Sequence, residues 1–203
     1  LVHQDVANPW IKFQSAAAQD GIEIKIASAY RSFERQLLIW NRKYLGKTIV
    51  KDDNGNVITP NSLSELEFIK AIMRFSALPG TSRHHWGTDI DVYSPQLLAG
   101  KQLQLEPWEY QINGPMAKLT AWIDENMREH GFYRPFNRDR GGVAIEPWHL
   151  SYAEVSEQYF KALSVSDLAN LIQTTQIGGK STILKNLENL YEQYVINIGN
   201  FDD

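Results

Sequence analysis

Apolar and polar residues alternate from Ile22 to Ile26, with Glu23 and Lys25 between the isoleucines. This is the two-residue period of a half-buried strand. Before it, Pro9 suits the first turn of a helix that Asp20-Gly21 ends. After it, Ser32 is placed to cap a helix carrying Phe33, Leu37, Trp40 and Tyr44, with Gly46 as its stop. Asn54-Gly55 between Ile49-Val50 and Val57-Ile58 predicts a hairpin. Ser62 and Glu65 have the spacing of a capping box for a helix reaching about Leu78, which Pro79-Gly80 breaks. Ile90 to Tyr93 predicts a strand, Asn113 and Pro115 open a helix that Gly131 ends, and Phe132–Phe136 and Val143–Tyr152 predict two further strands. From Ala153 onward the pattern is helical. Helices interleaved with a few strands predict an α+β fold with a small, mainly antiparallel sheet flanked by helices and a helical C-terminal segment. We expect residues 1–152 to form the main domain and 153–203 a helical extension packed on or appended to it.

Length and composition narrow the classes. The 203 residues suffice for one domain with a sizeable core. The 20 basic and 24 acidic residues give a net charge of −4 and no basic stripe, which argues against a nucleic-acid partner. No apolar run approaches the ~20 residues of a membrane span. The chain starts Leu1-Val2-His3 without an initiator Met, as expected if an export signal has been removed. Cysteine is absent, so disulfide scaffolds, thiol nucleophiles and cysteine-based zinc sites are excluded.

Three of the five histidines lie in two segments dense with other reactive groups. One segment is Ser82-Arg83-His84-His85-Trp86-Gly87-Thr88-Asp89-Ile90-Asp91, the other Glu146-Pro147-Trp148-His149. Catalytic zinc keeps three protein ligands and one open position, and without cysteine those ligands must be His, Asp or Glu. The two segments are far apart in sequence, so a shared site needs the fold to close it. Along the strand, Asp89 and Asp91 share one face and Ile90 and Val92 take the other. Residues three apart in a regular strand face opposite sides. For Glu146 and His149 to share a site the backbone must therefore twist or bulge, and Pro147 is the place for it.

Ser82-x-His84-x-x-Gly87-x-x-x-Asp91 followed by Glu146-x-x-His149 resembles the signature of the VanY-like D-alanyl-D-alanine carboxypeptidases, LAS-type zinc peptidases related to the hedgehog signalling domain. Ser28-Ala29-Tyr30-Arg31-Ser32 with Gln36, and Gly131-Phe132-Tyr133, resemble two further motifs of that family. The resemblance runs from about Ile22 to Tyr152. It implies a mononuclear Zn²⁺ held by His84, Asp91 and His149, with Glu146 as the general base that takes a proton from a water and passes it to the leaving amine. It implies Arg31 beside the scissile carbonyl or the substrate carboxylate, and Gln36, Ser82 and Tyr133 as donors to that carboxylate. The implied substrates are peptidoglycan stem peptides ending in D-alanine. The implied setting is the periplasm or cell envelope. Endopeptidase action on a cross-link, or a non-catalytic zinc-containing wall-binding domain, are the alternatives. Retention of Glu146 and Arg31 favours an enzyme.

The sequence departs from the family pattern at Asp89, where a small residue is usual, and at Arg83 and His85-Trp86. Asp89 is expected either to stand behind the metal or to narrow substrate choice. His3 and His130 are expected to be structural, as is Trp148. The run Ile177-Gly178-Gly179-Lys180-Ser181-Thr182 is not a phosphate loop, because Thr174 stands where that motif needs glycine. Ser181 or Thr182 is expected to cap a helix there instead.

Overall fold

A computed structural model describes residues 1–202. The chain runs α1 (Gln4–Gln19), β1 (Lys25–Ser28), α2 (Phe33–Tyr44), β2 (Val50–Lys51), β3 (Val57–Ile58), α3 (Glu65–Phe75), a 3₁₀ turn (Arg83–Trp86) and β4 (Asp89–Tyr93). There follow α4 (Pro95–Leu98), α5 (Pro107–Tyr110), α6 (Ala117–Asn126), β5 (Phe132–Tyr133) and β6 (His149–Tyr152). The chain ends with α7 (Ala153–Ala162), α8 (Val165–Thr174), α9 (Lys180–Lys185), α10 (Leu187–Tyr191) and a π-helical turn (Glu192–Ile196). The main sheet has the order β1-β4-β6-β5 and is antiparallel throughout. With β2 and β3 as a separate hairpin, the fold is the expected α+β arrangement. Among the described residues no helix is long and apolar enough to cross a membrane.

Two apolar cores flank the sheet's polar face. The first packs Phe13 of α1 and Trp122 and Ile123 of α6 against Ile90, Val92, Phe132 and Leu150. The second joins Trp40 of α2 and Phe68, Ile69 and Ile72 of α3 to Leu168, Ile172, Ile183, Leu187 and Leu190. The C-terminal helices thus supply half of the core beneath α2 and α3. Phe13 is fully buried, with ring centroids 4.9 Å from Trp122 and 5.3 Å from Phe132. Truncating such a ring leaves a cavity, so Phe13→Ala is expected to cost ~3–5 kcal/mol, read as a lower urea midpoint.

Several boundaries differ from the sequence expectation. Pro9 lies inside α1, because the helix begins earlier, where His3 Nδ1 accepts from the Asp5 amide at 3.3 Å. The cap of α3 is Ser64, which accepts from the Glu67 amide at 3.3 Å. The Ser-x-x-Glu spacing occurs twice in register, and the second copy is used. That helix also ends at Phe75 rather than Leu78. Helix α6 spans only Ala117–Asn126, with the turn at Gly131 beyond it. Ser181 and Thr182 lie within α9 and Gly179 takes its cap, with the Thr182 hydroxyl bonded to Glu65 instead. The two late strands shrink to β5 and β6, because the backbone between them bonds elsewhere: Arg134 Nε donates to Pro147 O at 2.7 Å, and the Ala144 amide to Arg74 O at 2.9 Å.

Candidate metal centre and active site

The sheet register brings the two reactive segments together. Asp91 pairs with His149 and Asp89 with Ser151 across β4 and β6. With Ile90 and Val92 turned into the first core, both aspartates emerge on the opposite face. His84 arrives from the 3₁₀ turn, which Gly87 ends at φ 69°. A Cβ on Gly87 would lie 2.9 Å from the His3 backbone nitrogen, and the His3 amide donates to Gly87 O at 2.8 Å. The start of α1 therefore pins the loop that aims His84. Glu146 and His149 do not lie on one strand. Glu146-Pro147-Trp148-His149 forms a turn in which the His149 amide donates to Glu146 O at 3.2 Å, so both side chains reach the same side.

His84, Asp91 and His149 are all buried and offer ligand atoms within 4.8 Å of one another. His84 Nε2 lies 3.3 Å from Asp91 Oδ2, and His149 Nδ1 lies 3.3 Å from Asp91 Oδ1 and 3.2 Å from Glu146 Oε2. Asp91 Oδ1 is buried with no hydrogen-bond partner. A buried carboxylate whose two oxygens each face one imidazole nitrogen is the donor set of a divalent cation site. Burial opposes charge on Asp91, but His84 and His149 outweigh it and hold the carboxyl below its usual range. Burial likewise opposes protonation of His149, yet Asp89, Asp91 and Glu146 raise its pKa well above the ordinary value. The negative potential that favours a proton there also favours a metal cation.

Behind the triad stands a charged network. His149 Nε2 lies 2.9 Å from Asp89 Oδ1, which also accepts from Arg83 Nε at 2.7 Å. Thr88 and Ser151 hydroxyls donate to Asp89 Oδ2 at 2.6 and 3.1 Å. Arg83 Nη2 reaches Ser151 at 2.7 Å and the Tyr133 hydroxyl at 3.0 Å. Asp89 thus stands behind His149 and directs its Nδ1 toward Asp91 and Glu146. His85 is a strut: its Nδ1 is 2.6 Å from Arg31 O and its Nε2 accepts from the Gly80 amide at 3.2 Å. Both its nitrogens are engaged, which leaves His84 as the ligand candidate of the pair.

Arg31 is held by Gln36 Oε1 at 2.9 Å and Ser28 Oγ at 3.2 Å, and Gln36 Nε2 donates to Ala77 O at 2.7 Å. Burial lowers the Arg31 pKa, against the opposing charges of Asp91 and Glu146. A cavity of about 230 Å³ is lined by Arg31, Ser82, His84, Asp91, Glu146 and His149. Gln36 and Tyr133 line no part of it: Gln36 sits behind Arg31, and Tyr133 behind Arg83. Trp148 packs on Tyr110 with centroids 5.4 Å apart and also edges the cavity. His130 packs on Phe13 in the first core, away from the site. Sequence reasoning missed Tyr194 and Val195, which the C-terminal π-helical turn brings to the cavity wall. Only the tertiary path of the last helices places them there.

A family profile described as VanY: D-alanyl-D-alanine carboxypeptidase matches residues 1–155, and the chain belongs to this family. It is 34% identical over 122 residues to an uncharacterized protein of Haemophilus influenzae, covering 59% of this chain and 93% of that one. It is 26% identical over 161 residues to a D-alanyl-D-alanine carboxypeptidase of Enterococcus faecalis, covering 76% of this chain but only 50% of the relative. The chain therefore spans about half the length of that carboxypeptidase. Among solved structures, VanYB in complex with D-alanine-D-alanine superposes with a TM-score of 0.55 at 22% identity, over 83% of this chain and 82% of that one. The vancomycin-resistance D,D-pentapeptidase VanY in complex with Zn(II) gives 0.53 at 25% identity, over 82% of each chain. A peptidase of the VanY type is the class that this family and fold define.

Proposed function

We propose that this protein is a zinc-dependent carboxypeptidase that hydrolyses D-alanine-containing peptide bonds of peptidoglycan stem peptides, acting in the periplasm or cell envelope. The observation that carries this reading is the convergence of His84, Asp91 and His149 within 4.8 Å, with Glu146 Oε2 3.2 Å from His149 Nδ1. Zinc held by those three residues supplies a Lewis acid that polarises a carbonyl and acidifies a water. Glu146 takes the proton of the attacking water and delivers it to the leaving amine. Arg31, locked by Gln36 and Ser28, presents a fixed positive fork to an oxyanion or a terminal carboxylate. Ser82 adds a neutral donor on the same wall. Gln36 acts on substrate through Arg31, and Tyr133 acts through Arg83. Residues 153–203 serve as a helical extension of the peptidase domain.

Mass spectrometry of defined tetra-, penta- and cross-linked muropeptides after incubation with the zinc-loaded protein tests the reading. Loss of one terminal D-alanine is the expected product, and no cleavage of any of them would overturn it. Amidating the C-terminus of a good substrate removes the charge that Arg31 faces. kcat/KM is expected to fall at least ~10-fold, the scale of one charge-assisted hydrogen bond. Equal cleavage of amidated and free peptides would replace the carboxypeptidase with an endopeptidase and reassign Arg31 to the scissile carbonyl.

A further inference from the structure

Beside the 230 Å³ chamber lies a larger one of about 700 Å³, and the two share Phe75, Leu105, Glu146 and Trp148 as common walls. The cleft therefore continues past Glu146, away from Arg31 and the metal ligands, which line only the smaller chamber. Most charges around the larger chamber are matched. Arg74 binds Asp53 at 2.8 Å and Asp139 at 2.6 Å. Lys51 lies 3.6 Å from Glu106, and Asp52 accepts from the Asn54 and Asn56 amides at 2.9 and 2.8 Å. Lys43 is different. It lines the larger chamber, is half-buried, and its ammonium makes no hydrogen bond or ion pair with any described residue. It lies on the inward stripe of α2, one turn beyond buried Trp40 and two beyond buried Gln36. Burial lowers the pKa of its amine, and Glu146 is the carboxylate that opposes this. A partly desolvated cation with no partner on the wall of a substrate cleft calls for an anionic partner from outside.

We propose that Lys43 binds a carboxylate carried by the acyl part of the peptide substrate, forming an anionic subsite separate from the one at Arg31 and Ser82. The inference rests on the peptidase reading. If the terminal residue and its carboxylate fill the small chamber, the scissile bond lies at Glu146 and the rest of the peptide runs into the larger one. A side-chain or α-carboxylate two to four residues before the scissile bond then meets Lys43, with exposed Trp108 and Ile145 as apolar walls. This would select acidic stem peptides over neutral ones of the same length.

The test uses acetylated peptides ending in D-alanyl-D-alanine, with a single glutamate or glutamine placed in turn at each of the three positions preceding that dipeptide. kcat and KM are measured for zinc-loaded wild type, Lys43→Met and Lys43→Arg. At one position the wild type is expected to show a KM about 10-fold lower for glutamate than for glutamine, with kcat little changed. Lys43→Met should abolish that preference while cutting the glutamine peptide as wild type does, and Lys43→Arg should keep most of it. The subsite is overturned if wild type discriminates at no position, or if Lys43→Met alters both peptides alike. If wild type cuts none of the peptides, the peptidase reading fails instead. Calorimetric binding of the same peptides then decides on Lys43. Tighter binding of a glutamate peptide that Lys43→Met removes would sustain the subsite, and equal binding would end it.

Discussion

Glu146→Gln is expected to fold, to bind metal as wild type does, and to lose ~10²–10⁴-fold in kcat, the usual cost of removing a general base. The substitution keeps the volume and removes only the ability to accept a proton. Its side chain is partly exposed to the cavity and holds no structural ion pair beyond its 3.2 Å contact with His149 Nδ1. The fold should therefore survive. Its backbone amide remains bonded to Phe136 O at 3.1 Å, which keeps the turn in place. Metal content by atomic absorption and kcat on a D-alanyl-D-alanine peptide are the two readouts. Wild-type turnover in this variant would move the base elsewhere. Asp89 is a poor replacement, because both its oxygens are already engaged by Arg83, His149, Thr88 and Ser151.

Much of this arrangement is legible in the sequence because it depends on local chemistry. Ser32 caps α2 through the Arg35 amide at 3.2 Å, and Asp89 and Asp91 share a face because a strand alternates. The hairpin at Asn54-Gly55 forms where the turn residues put it. What fails are features that the tertiary structure decides. Two Ser-x-x-Glu spacings overlap before α3, and nothing local says that Ser64 rather than Ser62 will cap. The stretch from Arg134 to Trp148 has strand-like residues but satisfies its backbone through Arg134, Arg74 and Phe136. The contacts of Gln36 and Tyr133 with arginines rather than the cavity depend on which neighbour each meets first. Lys43 reads as an ordinary surface lysine in the last turn of a helix. Only the tertiary structure shows that it lines the larger chamber of the cleft.

His149→Ala is expected to lose the metal and with it all measurable turnover, and Asp89→Asn to weaken metal binding by a smaller step. The first removes one of three ligands. The second acts through the tautomer. A neutral His149 that presents an unprotonated Nδ1 to a cation must carry its proton on Nε2, and Asp89 Oδ1, 2.9 Å away, is the acceptor that fixes it there. In Asp89→Asn the carbonyl oxygen keeps the Oδ1 position between Arg83 Nε and His149 Nε2, and the amide N–H₂ takes the Oδ2 position facing the Thr88 and Ser151 hydroxyls. The Nε2 proton then faces a neutral acceptor in place of a carboxylate, so this tautomer is held less firmly and His149 becomes a weaker ligand. Loss of an outer partner of this kind costs ~10–100-fold in metal affinity. Asparagine is the informative choice. Alanine would leave the buried Arg83 Nε with neither counter-charge nor acceptor and cost ~3–5 kcal/mol of stability, confusing loss of fold with loss of metal, whereas asparagine keeps the acceptor. Competition against a chromophoric chelator measures the affinity, and ¹⁵N shifts of His149 in the metal-free protein, taken at a pH high enough to leave the ring neutral, read the tautomer. If Asp89→Asn binds zinc as tightly as wild type with Nε2 still protonated, Asp89 does not orient His149, and the Arg83–Asp89 pair is there for packing alone.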